Sequence, residues 1–150
     1  MPSEIYWTRV LVRVDMSAVI SIRSLTVRFH TYDGVLTAVK DVNLDINEGE
    51  TYGIVGETGC GKTITAMSIL RLIPPPGRIE SGSIEFRPRQ DGDAVDIMQL
   101  SEDEVRAIRG NKIAMIFQEP NSALNPVYTI GDQISESILL HRREHLTERI

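Results

Sequence analysis

The sequence predicts an α/β fold in which a short buried strand runs through a glycine-rich turn into a helix, with an antiparallel pair of strands ahead of it. Three observations carry this. Gly56-Glu57-Thr58-Gly59-Cys60-Gly61-Lys62-Thr63 fits the pattern G-x-x-x-x-G-K-[ST] at every fixed position. Thr51–Val55 before it reads as a buried strand, and Ile64–Ile73 after it places Ile64, Met67, Ile69, Leu70 and Ile73 as a helix would. Upstream, Ile20–Ile46 alternates apolar and polar residues in two runs separated by a turn, as half-exposed antiparallel strands do.

The first of these observations has a chemical meaning. A triphosphate is held best by backbone N–H groups that converge on it, and glycines let the chain curl so closely that a side chain would obstruct. The helix that follows adds unpaired N–H groups and the positive end of its dipole. In such a loop Lys62 reaches the β- and γ-phosphates, and the Thr63 hydroxyl is a ligand for Mg²⁺. A chance match is expected in roughly one chain of this length in a few hundred at average residue usage. The strand and helix on either side are the context the motif requires. A dinucleotide fingerprint is a weaker rival, since G-x-G-x-x-G does not occur and a Gly-Lys-Thr ending is not its signature.

The elements follow in order. Residues 1–19 mix Trp7, Val10, Leu11, Val12 and Val14 with Arg9 and Arg13. They lack the uninterrupted apolar stretch and small-residue site of a signal peptide, and we expect a leader that is not native, with Met16 the natural start. Ile20–Phe29 is predicted as a strand in which Ile20 and Ile22, then Leu25, Val27 and Phe29, sit two apart with a slip between. Thr31–Gly34 turns the chain, and Leu36–Ile46 returns with Val42, Leu44 and Ile46 on one face. After the glycine-rich loop and its helix, Pro74-Pro75-Pro76-Gly77 is a stop. Ser83–Phe86 reads as a short strand and Arg87–Ala94 as an exposed hairpin or loop. Ser101-Glu102-Asp103-Glu104 is a capping box opening a helix to about Arg109, which Gly110 ends. Lys112–Phe117 reads as a strand buried on both faces. Ile130–Arg142 is an amphipathic helix whose apolar stripe, Ile130, Ile134, Ile138 and Leu139, is first of all core. Thr147 is a candidate cap for a further helix.

Composition sets outer limits. With 150 residues, 41% hydrophobic and 25% charged, the chain suffices for one modest globular domain. A net charge of −5 argues against a general nucleic-acid binder. No apolar run approaches the ~18 residues of a membrane span. One cysteine, Cys60, allows no internal disulfide, and with only three histidines, His30, His141 and His145, no metal cluster is expected. The histidines are expected on the solvated surface. Cys60 lies at a helix N-terminus two residues from Lys62, where a thiol is reactive, so alkylation that MgATP slows is expected. No paired general base supports a nucleophilic role for it.

Two runs carry a resemblance to a family. AVKDVNLDINEGETYGIVGETGCGKT (Ala38–Thr63) and LSEDEVRAIRGNKIAMIFQEPNSALNPVYTIGDQI (Leu100–Ile134) are similar to the nucleotide-binding subunit of ATP-binding cassette (ABC) transporters. The second run resembles the oligopeptide/dipeptide importer branch in particular. The resemblance implies an α/β fold with a P-loop NTPase (RecA-like) core, an antiparallel β subdomain and the start of a helical subdomain, truncated. It implies a leader over 1–19, the front part of a nucleotide-binding domain over 20–129, and the opening of the helical subdomain over 130–150.

The family's roles carry over residue by residue. Gly56, Glu57, Thr58, Gly59, Cys60, Gly61, Lys62, Thr63 and Ile64 stand where the family binds the phosphates of ATP, Lys62 with a catalytic part. Phe29 stands where the family stacks an aromatic on adenine, a task that suits a flat ring. Two alternatives remain: Phe29 closes a core strand, or Tyr32 is the adenine contact. Gln118 matches the Q-loop glutamine, which with Thr63 ligates Mg²⁺ and orients water; its plain reading is an ordinary loop glutamine. Glu119–Tyr128 resembles the surface that meets the membrane-spanning permease subunits. A second nucleotide-binding subunit, identical or not, an extracytoplasmic solute-binding protein acting indirectly, and a peripheral place on the cytoplasmic face of the membrane are also implied. No nucleic acid is. The family's LSGGQ-type signature, Walker B acid pair and switch histidine are not found in these residues. We therefore expect a part of a longer chain that binds nucleotide with negligible hydrolysis. The family also places later strands between the strand before Gly56 and the strand before Gln118. Other readings are a non-hydrolytic nucleotide-binding module or another P-loop enzyme. A GTPase would need N-K-x-D, which is absent, and no arginine-rich lid of a small-molecule kinase is evident.

Overall fold

A computed structural model describes residues 18–88, 92–118 and 124–141, the side chains of Ser137 and His141 excepted. The expectations for residues 1–17, Thr147, His141 and His145 lie outside what is described. The chain divides into two compact units, one ending at Val105 and one beginning at Arg106.

The first unit is built on a four-stranded sheet of order β2-β1-β3-β4, with β1 at Ala18–Thr31, β2 at Gly34–Asn47, β3 at Gly77–Phe86 and β4 at Val95–Asp96. Every pairing is antiparallel. β1 and β2 are joined through Tyr32 and Asp33, and Thr31 Oγ1 donates to the Gly34 carbonyl at 2.8 Å. The slip in the apolar alternation of β1 is a bulge. Register shifts fall between Ile22 and Leu25 toward β2, and between Arg23 and Thr26 toward β3. The extra residue lets Ile20, Ile22, Leu25 and Val27 all turn to one face, where each is buried. Ser24 and Asp41 take the left-handed backbone there, with φ of 48° and 49°. Across from them Gly82 has φ 107°, and a Cβ on it would stand 2.7 Å from the Arg23 carbonyl oxygen. Only glycine fits that position.

That face of the sheet forms the core with Val39, Val42, Leu44, Ile84 and Phe86, joined by Leu70, Ile97 and Val105. The opposite face is polar and cross-linked: Arg23 pairs with Asp45 at 2.7 Å, and His30 Nε2 meets Glu80 Oε1 at 2.6 Å. His30 is solvated as expected, and it also has a carboxylate partner.

Helix α1 spans Lys62–Ile69 and ends earlier than Ile73 because the chain reverses. The Arg71 amide donates to the Ser68 carbonyl at 3.0 Å and the Leu72 amide to the Met67 carbonyl at 2.9 Å, a Schellman closure with Arg71 at φ 51° where glycine is usual. The Arg71 side chain donates to the Leu100 carbonyl at 2.7 Å. Helix α2, Glu102–Ile108, begins as the sequence indicates: the Ser101 amide donates to Glu104 Oε2 at 2.8 Å, and the Glu104 amide to Ser101 Oγ at 3.4 Å.

Three expectations are corrected. Thr51–Val55 forms no strand, and Val55 is 82% exposed. Lys112–Phe117 forms only an isolated bridge, Ile113 to Arg109, and Ile116 is 93% exposed. Both runs have strand composition, but a ladder needs a neighbour, and among the described residues neither run has one. Helix α3, Ile130–His141, forms as predicted, but Ile130, Ile134, Ile138 and Leu139 are exposed rather than core. No described element of its unit covers that stripe. A smaller difference concerns Ser83–Phe86, which is the end of the longer strand β3.

Candidate nucleotide site

Gly56 to Ile64 lie together on one loop and the first turn of α1. The loop's shape depends on its glycines. Gly59 and Gly61 hold φ of 83° and 96°, in the left-handed region that L side chains resist. At Gly61 a Cβ would also stand 2.5 Å from the Ala38 carbonyl oxygen and 3.2 Å from Val39 Cγ2. The loop is therefore seated directly on β2. At Gly56 a Cβ would stand 2.6 Å from Cys60 Sγ, so the thiol lies across the start of the loop.

Gly61 is the N-cap of α1, and no side chain caps it. The first-turn N–H groups of a helix have no intrahelical acceptor. Without a capping side chain they are available to an external anion. Lys62 Nζ donates to the Gly56 carbonyl at 2.8 Å and to the Glu57 carbonyl at 2.7 Å, and stands 3.6 Å from Cys60 Sγ. Its positive charge is thus held against the mouth of the loop. Thr63 is exposed at the first turn. An uncapped helix start with an ammonium and an exposed hydroxyl beside it suits a polyphosphate with a hard cation. No carboxylate caps the helix to compete for the site.

The other expected residues are not all gathered here. Phe29 is half-buried in β1, opposite Gly77. Gly77 has no room for a Cβ, which would stand 2.7 Å from Phe29 Cε1 and 2.6 Å from Ile73 Cγ2. One edge of the Phe29 ring is therefore packed. Tyr32 is fully exposed at the hairpin turn. Gln118 lies in the second unit and is exposed, after a run from Ala114 that forms no regular element. Of Glu119–Tyr128, residues 119–123 fall outside the described residues, while Leu124, Val127 and Tyr128 are exposed. Thr129 was not singled out from sequence. Its Oγ1 accepts from the Asp132 amide at 3.1 Å and donates to Asp132 Oδ2 at 2.7 Å, and the Thr-x-x-Asp spacing before an apolar run was the available signal.

A seated glycine-rich loop that opens an uncapped helix, beside an antiparallel sheet, defines a nucleotide-binding cassette of the P-loop class. The ABC transporter family profile matches residues 39–149, and the chain belongs to that family. It is 45% identical over 129 residues to the dipeptide transport ATP-binding protein DppD of Bacillus subtilis, covering 85% of this chain and 37% of that protein. It is 42% identical over 131 residues to the glutathione import ATP-binding protein GsiA of Salmonella choleraesuis, covering 87% of this chain and 21% of that one. Among solved structures it resembles the dimeric ABC transporter cassette MJ0796, with a TM-score of 0.68 and 27% identity over 83% of this chain and 48% of that chain. A second structure of that cassette is a post-hydrolysis state bound to ADP and Pi. The chain thus spans little more than a third of the length of DppD. No helix among the described residues is long and apolar enough to cross a membrane.

Proposed function

We propose that this chain is the nucleotide-binding front part of an ATPase subunit that energises an ABC importer for peptides or similar solutes. The start of α1 carries the reading, because its first-turn N–H groups have no capping side chain and Lys62 stands beside them against the loop. Similarity to peptide and glutathione import subunits supports the solute class.

In this reading the Gly56–Ile64 amides bind the phosphates of ATP. Lys62 exchanges its neutral carbonyl partners for the anionic β- and γ-phosphate oxygens, so that both donor and acceptor are charged. Thr63 would hold Mg²⁺, which when bound would neutralise phosphate charge, and Gln118 keeps the Mg²⁺-ligand role that the family resemblance implies. Phe29, held on edge by Ile73 and Gly77, offers its remaining surface to adenine. Phosphoryl transfer also needs a positioned water and an acidic pair, so we assign turnover to the whole protein and binding to this stretch. The intact protein would pair with a second cassette, meet its permease through Glu119–Tyr128, and sit peripherally on the cytoplasmic face of the membrane. Other subunits would choose the cargo.

Isothermal titration with MgATP tests the reading. Binding by the parent chain, weakened roughly ten- to a hundredfold by Lys62→Ala, is expected from the loss of a charged donor. Equal affinity of the parent and the variant would refute it.

A further inference from the structure

We propose that Thr65 is a positioning residue for the phosphate site, acting through the Gly61–Lys62 peptide; this rests on the nucleotide reading above. Thr65 is 3% exposed and lies one turn into α1, away from the loop mouth. Its hydroxyl donates to the Gly61 carbonyl at 3.0 Å, and its amide donates to the same oxygen at 2.8 Å. That carbonyl belongs to the peptide whose other end is the Lys62 N–H. In a trans peptide the two groups point in opposite directions. Fixing the carbonyl toward the helix interior therefore aims the Lys62 N–H back toward the loop. A donor on the carbonyl also polarises the peptide and strengthens its N–H as a donor.

The geometry around this peptide is unusually constrained. Gly61 carries φ 96° and is wedged against the Ala38 carbonyl, while two donors from Thr65 hold its oxygen. The left-handed backbone at Gly61 is intrinsically permissive, since glycine visits many conformations, and the paired donors from Thr65 select one. Ser68 supplies an internal comparison. Its hydroxyl makes the same type of bond, to the Ile64 carbonyl at 2.7 Å, and it is equally buried. The Ile64 carbonyl lies within the helix body, so the Ser68 bond does not touch the loop peptide.

The test compares Thr65→Val, Thr65→Ala, Thr65→Ser and Ser68→Ala in the full chain, with MgATP affinity read by titration calorimetry and folding by circular dichroism. We expect Thr65→Val and Thr65→Ala to weaken MgATP binding about three- to tenfold, the range set by one lost hydrogen bond. Thr65→Ser should restore affinity to within about twofold, and Ser68→Ala should bind as the parent does. Parent-like affinity in Thr65→Val and Thr65→Ala overturns the proposal, and so does an equal loss in Ser68→Ala. Unfolding of both hydroxyl-free variants, with Ser68→Ala intact, also overturns it by making Thr65 purely structural. If Lys62→Ala binds like the parent, or the parent does not bind, the nucleotide reading fails and takes this proposal with it. If only the Thr65 variants are silent, the nucleotide reading stands.

Discussion

The α-carbon of Gly61 faces the Ala38 carbonyl so closely that no other residue fits, and its φ of 96° disfavours an L side chain independently. The two constraints coincide at the residue next to Lys62, where the chain must present N–H groups. Cys60 is the other informative residue of the loop. Its sulfur is partly accessible, lies against Gly56 and stands 3.6 Å from Lys62 Nζ. A maleimide attached there would fill the loop mouth, and a bound triphosphate would in turn cover the thiol. Alkylation of Cys60 should therefore abolish MgATP binding, and saturating MgATP should slow the reaction; mass spectrometry of timed samples reads both. Identical labelling rates with and without MgATP would place the nucleotide elsewhere.

At the level of elements, the outer face of the sheet couples strand pairing to pH. Glu80 on β3 bonds to His30 on β1, with Arg28 3.6 Å away. The hydrogen bond from His30, reinforced by the charges of His30, Arg28 and Arg78, holds the Glu80 carboxyl below its ordinary value of 4.5, against a smaller opposing effect of desolvation. A carboxyl depressed in the folded state contributes stability above its unfolded value, and that contribution is lost as pH falls through the folded value. The parent should thus lose thermal stability as pH drops below 4.5, and Glu80→Gln should lose less over the same range. Parallel melting profiles for the two would contradict this. The same scale shows what was legible in sequence. The slip in alternation between Ile22 and Leu25 is the bulge itself, and Ser101-x-x-Glu104 closes its capping box as written. Both are local signals, fixed by residues next to each other in sequence or directly across a ladder. Thr51–Val55 and Lys112–Phe117 were misread for the converse reason. A strand buried on both faces is defined by neighbours remote in sequence, and composition alone cannot supply them.

For the molecule as a whole, the buried hydrophobic residues among those described all lie in the first unit. Its core gathers aliphatic residues and Phe86 on one face of β1, β2 and β3, while the second unit exposes Ile116, Val127, Ile130 and Leu140. The glycine-rich loop was legible from its eight residues because their chemistry is local. The role of Gln118 was legible only through its match to a family run, because a single exposed amide carries no chemistry of its own. The strand order β2-β1-β3-β4 has a further consequence for how the protein breathes. Of the three long strands, β1 alone has a long partner on either side, so its interior amides are directed alternately into two ladders and none faces an edge of the sheet. Deuterium from solvent should therefore reach the interior of β1 last, at a rate approaching that of global unfolding. The free edge of β2 should exchange early, and amide-resolved exchange would resolve the two populations. Faster uptake in β1 than along the β2 edge would mean that the ladders open in another order.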